Sequence, residues 1–215
     1  MIYLLTLGYD EKFAIRFLLR RSITKNDILV VVLAKGYSND EKAVKAFDNL
    51  SSLIEKSIGR IETYEVDYSS DRPMKEISKL SKFLLELTDG EKSIYACLSG
   101  GMRSIIAITL LALLKLSRDY LKEIWMEIDF ENLLGFSRFP LNVINIPRNE
   151  RFIAILKSLR LSKLSVRKIG EKIGLSPAAA HRIMRNMVKI GLLDDNFRPT
   201  EMGLAYLDLY EELKE

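Results

Sequence analysis

The 215-residue chain is short of the residues that build covalent and metal frameworks: it has one cysteine, one histidine and one tryptophan. A lone thiol, Cys97, excludes a disulfide scaffold and a thiolate cage for zinc, and it fits a reducing, cytoplasmic setting. The single histidine, His181, has no cysteine near it in sequence and reads as a polar surface contact, so neither a metal site nor a cofactor is expected. Long apolar runs are missing too. The longest, Ile105 to Leu114, is too short for a bilayer, and the N-terminus lacks a basic start and small-residue cleavage site, so no membrane partner is expected. Two nucleotide motifs are also absent. The first glycine turn has one glycine where a dinucleotide fold has G-x-G-x-x-G, and no G-x-x-x-x-G-K-[ST] occurs, which argues against nicotinamide, flavin and NTP-hydrolysing sites.

What is present is an ordinary globular composition, with 48% apolar and 29% charged residues, in a chain long enough for two domains. The net charge of +4 is unevenly spread. Residues 1–147 hold 20 basic and 20 acidic side chains, whereas residues 148–192 hold 11 basic and 2 acidic ones. Residues 193–215 turn acidic, with 7 against 2. A basic block beside a neutral region points to a polyanion footprint confined to one module.

The first two thirds alternate strand and helix patterns. Residues 1–8, 27–34, 61–66 and 93–98 read as strands, separated by helix-length segments 10–21, 39–57, 73–88 and 102–116 with apolar residues near 3.6 spacing. Two further strands, 123–129 and 141–146, would complete the sheet. The expected fold class is α/β: a Rossmann-like, doubly wound, mainly parallel sheet over residues 1–139, a linker over 140–149, and a C-terminal winged helix-turn-helix over 150–215. Residues 104–116 are apolar on nearly every face, which calls for cover on both sides, by a second subunit or by other parts of the same chain.

In a doubly wound sheet the ligand crevice lies beyond the carboxyl ends of the strands, at the switch point. There the chain places Thr6-Leu7-Gly8-Tyr9 after the first strand and Ser99-Gly100-Gly101-Met102-Arg103-Ser104 after the fourth. Glycines let a ligand approach the backbone, and the free N–H groups at a helix start favour phosphate oxygens. Arg103 adds a permanent, planar cation suited to phosphate, or else a surface ion pair. Tyr9 either stacks on a base or packs on its own loop. Met102 either meets a base or fills core. The plainer alternative for the glycines is tight strand–helix packing, with Ser99 as a helix cap.

In the C-terminal part, 149–161 is an amphipathic helix. Ser165 caps a short helix, 166–173, and Gly174-Leu175-Ser176-Pro177 is a turn and cap that launches a third, 178–190. This spacing matches helix-turn-helix. Ala180, Ile183, Met184, Met187 and Ile190 form one stripe of the third helix; Ala178, His181, Arg182, Arg185, Asn186 and Lys189 form another. Small Ala178 and Ala179 permit close entry into a major groove, with the polar stripe, Ser165, Ser176 and Arg198 of the following hairpin in reach of bases or phosphates. A helical bundle making protein contacts is the alternative. Thr200 caps a last helix running to Leu213, whose Tyr206, Leu207, Leu209, Tyr210 and Leu213 suit dimer packing or cover for the module.

These residues resemble a family: the CRISPR-associated transcriptional regulators of archaeal type I-A loci, which join a CARF sensor to a winged helix. The resemblance implies a homodimer that binds a cyclic oligoadenylate, the tetra-adenylate above all, at Thr6 to Tyr9 and Ser99 to Ser104, and that regulates promoter DNA with a palindromic operator. Two alternatives stand beside it. One is a ring nuclease that cleaves the cyclic ligand, although no histidine and no clearly placed carboxylate base is legible and only Ser99, Arg103 and Lys12 are in range; no catalytic residue is assigned. The other is a MarR-like regulator of a different small anion.

Overall fold

A computed structural model describes residues 1–55, 57–89, 92–119, 123–162 and 164–211. The chain forms two compact units, Met1–Asn142 and a second that begins at Val143.

The first unit alternates β1 (Ile2–Thr6), α1 (Lys12–Leu19), β2 (Ile28–Ala34), α2 (Glu41–Ile54), β3 (Arg60–Val66), α3 (Pro73–Thr88), β4 (Ile94–Cys97), α4 (Arg103–Asp119), β5 (Ile124–Asp129) and β6 (Phe136–Pro140). The strands form one sheet in the order β3-β2-β1-β4-β5-β6. The first five are mutually parallel and β6 runs antiparallel on β5. Central strands of such a sheet must be apolar on both faces, and β1 is buried along its whole length. Ile2 and Leu4 face a core shared with α3 and α4, while Tyr3 and Leu5 face a core shared with α1 and α2. This reversal of strand order between β1 and β4 opens the crevice.

The helix read as greasy all round is largely covered within its own unit. Ile105, Ile108, Ala112, Leu113 and Leu116 of α4 are buried, and α3 packs beside it, with the Ser81 hydroxyl donating to the Ala112 carbonyl at 3.1 Å. Leu111 stays at the surface, 48% exposed.

The sixth strand departs from the sequence expectation. Residues 141–146, expected as a strand, are not one: Leu141–Asn145 forms a 3-10 turn, and the strand is Phe136–Pro140. A tight reversal at Phe130–Gly135, with Leu133 at φ 60°, sends the chain straight back along β5 from Asp129↔Phe136 to Trp125↔Pro140. The apolar residues that suggested a strand serve two cores instead. Leu141 is buried in the first unit and Val143 in the second.

The second unit holds α5 (Glu150–Leu161), α6 (Val166–Ile173), α7 (Pro177–Lys189) and α8 (Glu201–Glu211). Each helix start is capped by a short polar side chain: Asn149, Ser165 and Ser176 accept N–H bonds from their first turns, and Thr200 accepts from Gly203 at 3.0 Å. Gly174 ends α6 at φ 71°, a left-handed cap that turns the chain into α7. Between α7 and α8 a short reversal is closed by one bridge, Leu193↔Pro199, and by Asp194 N–H on the Arg198 carbonyl at 2.8 Å. Phe152, Ile155, Leu156, Ile169, Met184, Met187 and Tyr206 fill the core. The Tyr206 hydroxyl donates to the Pro147 carbonyl at 2.9 Å and accepts from Asn149 N–H at 2.8 Å. Tyr206 and Leu207 are therefore internal cover, Leu209 is exposed, and Leu213 lies outside the described residues.

Candidate functional site

A cleft of about 550 Å³ opens at the carboxyl ends of β1, β2 and β4. Leu7, Gly8 and Tyr9 form its centre, Ser99 to Arg103 line the β4 side, and Lys35 to Tyr37, Asp40 and Tyr68 line the β2 side. Eight of the ten residues anticipated from sequence meet here. Thr6 and Ser104 are not among its lining residues: Thr6 is buried, and its hydroxyl is committed to the Gly100 carbonyl, while Ser104 follows Arg103 in the first turn of α4.

The glycines are there because backbone passes backbone. A methyl on Gly8 would lie 2.9 Å from Gly101 Cα, and one on Gly100 would lie 2.9 Å from the Thr6 carbonyl oxygen. Gly101 also sits at φ +93°, a conformation open to glycine at little steric cost. Tight packing and an open rim therefore coexist in one turn. Ser99 is not a helix cap: its oxygen accepts Asp129 N–H at 2.7 Å and ties the end of β4 to that of β5. Behind it, Arg20 grips Asp129 with contacts of 2.8 and 3.0 Å and reaches Glu127 at 3.2 Å, while Arg21 also pairs with Glu127. Both carboxylates are buried.

The rim itself remains unspent. Among the described residues, the backbone N–H groups of Gly100, Gly101, Met102, Arg103 and Ser104 have no acceptor, and the exposed Arg103 side chain has no ion pair. Met102 is 40% exposed and so is not core. Tyr9 is 64% exposed, and the Asp40 carboxylate beside its hydroxyl raises the phenol pKa above its ordinary value. Burial works against the charged form of Asp40, but N–H bonds from Ala43 and Lys42 and the Tyr9 hydroxyl outweigh it and hold the carboxyl below the usual range.

Other charges of the cleft are already paired. Lys35 contacts Asp67 at 2.8 Å, which raises its pKa, and Lys12 contacts Asp10 at 3.0 Å. Sequence reading missed the whole β2 side. Asp40 falls inside the segment 39–57 read as helix, although it caps α2, and Lys35 and Tyr68 carry no glycine signature.

In the second unit, Ala178, His181, Arg182, Arg185, Asn186 and Lys189 are exposed on one side of α7, with Ala179 half-buried, while Ala180, Met184 and Met187 are buried on the other. Ile183 and Ile190 are half-buried. Ser165 and Ser176 spend their oxygens as helix caps, on Lys168 N–H at 3.4 Å and Ala179 N–H at 3.3 Å. Arg198 is exposed in the reversal. Sequence reading also missed Phe197, held at φ 58° in that reversal. Its ring meets His181 edge-on at 5.6 Å and lies 5.3 Å from the Arg185 guanidinium, so it props the polar face of α7. A groove of about 410 Å³ runs between Arg182 and Asn186 of α7 and Asn149 and Arg151 at the start of α5.

Among the described residues no cluster of His, Cys, Asp or Glu is placed to hold a metal ion, and no helix is long and apolar enough to cross a membrane. No curated protein matches the sequence. Solved structures similar to the chain include Can2 from Sulfobacillus thermosulfidooxidans in complex with cyclic tetra-adenylate, at 11% identity and TM-score 0.41 over 98% of this chain, and Enterococcus italicus Csm6 bound to cyclic hexa-2'-fluoro-hexa-dAMP, at 8% identity and TM-score 0.47 over 99%. The chain spans 64% and 55% of those two chains. Residues 1–137 match the Csa3 CRISPR-associated Rossmann-like domain, well over half of the sequence, and the chain belongs to that family.

Proposed function

We propose that the protein is a ligand-responsive transcriptional regulator of CRISPR-associated genes, whose cleft takes a cyclic oligoadenylate and whose α7 takes promoter DNA as part of a winged helix. One observation carries the ligand half: a set of backbone N–H donors without acceptors and an unpaired Arg103 share the β4 rim of an open cleft. Donors of this kind favour phosphate oxygens and need no further cation. Gly8, Tyr9 and Ser99 to Arg103 are the contacts proposed, with Leu7 as the floor. A ring of two-fold symmetry suits a homodimer in which each protomer presents the same turn.

The DNA half rests on α7. Arg182 and Asn186 are exposed and have no partner within the chain among the described residues, and the short Ala178 and Ala179 allow close approach to a groove. His181, Arg185, Lys189 and Arg198 extend that surface. In this reading the reversal at 194–198 serves as the wing.

Ring cleavage is the second reading. It gains from Asp10, whose carboxylate lines the cleft and was not placed there by sequence. In-line attack by a ribose hydroxyl needs a proton acceptor as well as positioning, and Asp10 is held ionised by Lys12 N–H at 2.9 Å, against a smaller opposing effect of burial.

Calorimetry with cyclic tetra-adenylate tests the cleft: wild type should bind and Arg103→Ala should bind at least tenfold more weakly. Linear products after incubation would move the protein to the nuclease reading. Promoter retention tests α7, where Arg182→Ala should cost about 1–3 kcal/mol for a base contact, or lower the salt slope by about one for a phosphate contact. Unchanged retention would remove α7 as the DNA reader.

A further inference from the structure

The two sides of the cleft differ in charge, and that difference selects a base. On the β4 side stand the N–H donors and Arg103. On the β2 side stands Asp40, with the rings of Tyr9, Tyr37 and Tyr68 lining the same cleft. An ionised carboxylate only accepts hydrogen bonds, at about four lone-pair positions. Lys42 N–H at 3.0 Å and Ala43 N–H at 3.3 Å both fall on Oδ1. Among the described residues Oδ2 accepts no hydrogen bond from within the chain, and Asp40 lines the cleft.

That remaining acceptor repels phosphate and any ring edge that presents a carbonyl, and it matches an exocyclic amine. The surrounding tyrosines supply flat apolar faces on which a base can lie. The geometry points to Asp40 as the base-reading residue of the cleft: it accepts a hydrogen bond from the exocyclic amine of a purine lying among Tyr9, Tyr37 and Tyr68, so that adenine is preferred to hypoxanthine, whose carbonyl would face the carboxylate in the same seat. This assignment rests on the ligand reading above and goes beyond it, because phosphate contacts alone would hold either base equally.

The test compares cyclic tetra-adenylate with cyclic tetra-inosinate, whose rings carry a carbonyl in place of the amine, by calorimetry on the full chain. Wild type should prefer the adenylate ring about ten- to a hundredfold, the size of one hydrogen bond to a charged group. Asp40→Asn should bring the ratio to within about threefold, since an amide offers both a donor and an acceptor. Asn caps a helix as well as Asp does, so α2 keeps its start. Equal affinity of wild type for the two rings, or an unchanged ratio in Asp40→Asn, would overturn the assignment while leaving the ligand reading intact. If wild type holds neither ring, the ligand reading fails and the assignment falls with it.

Discussion

The two units treat their arginines in opposite ways. In the first, Arg16, Arg20 and Arg21 of the α1 region are drawn onto the buried Glu127 and Asp129, and of the cations lining the cleft Lys35 is paired and Arg103 is not. In the second, Arg182 projects from α7 with no partner among the described residues, and Arg185 has the Phe197 ring beside it. Buried pairs fix geometry; loose cations neutralise phosphates and release counterions. The first unit thus spends side-chain charge on shaping a rim whose donors are main chain. Ligand binding should accordingly vary little with salt, and DNA binding steeply.

The sharpest way to break this contrast is Asp129→Ala. It strips Arg20 of a two-pronged partner in a buried setting, and the first unit should lose about 3–5 kcal/mol in urea unfolding. A loss below about 1 kcal/mol would mean that the cluster is decoration. Next in size is Gly100→Ala, because the new methyl meets the Thr6 carbonyl, part of the backbone. It should lower stability by about 1–3 kcal/mol and weaken cyclic tetra-adenylate at least tenfold by calorimetry, with DNA affinity unchanged in the absence of ligand. Smaller again is Phe197→Ala, which removes the ring beside Arg185 and His181; retention of promoter DNA should fall by about 0.5–1 kcal/mol while ligand binding holds.

The smallest effect is one of pH. Asp27 is opposed by burial, yet Thr24 N–H at 2.8 Å, the Thr24 hydroxyl and the N-terminal ammonium at 3.1 Å hold its carboxyl below the ordinary value. Its folded pKa lies under its unfolded one, so its contribution is full above about pH 4 and disappears as pH falls through the lowered value. The stability gap between wild type and Asp27→Asn should therefore close on acidification toward pH 2.

Helix boundaries that depend on local chemistry were legible: Pro73 starts α3, Ser165 and Gly174 bracket α6, and Ser176 starts α7. The Gly8 and Gly100–Gly101 turns could be placed at one crevice because parallel order follows from strand–helix alternation. Three things escaped. The strand at 136–140 carries Ser137, Arg138 and Pro140, the composition of an edge rather than a core strand. The apolar Leu141 and Val143 belong to different cores, which period-2 reading cannot separate. Phe197 and Asp40 escaped because each looked accounted for, one as part of a reversal and the other as part of the helical segment 39–57. Thr6 was overcounted for the converse reason: proximity in sequence to Gly8 hid that its side chain turns inward.

Ser99 accepts the amide of Asp129 on one flank while Thr6 holds the Gly100 carbonyl on the other, so the lip is stitched before anything enters it. Capture then has no loop left to freeze, and the entropy of ordering that many binding loops forfeit is saved. Arrival should be quick and nearly insensitive to substitution, with residence time as the variable that separates one guest from another.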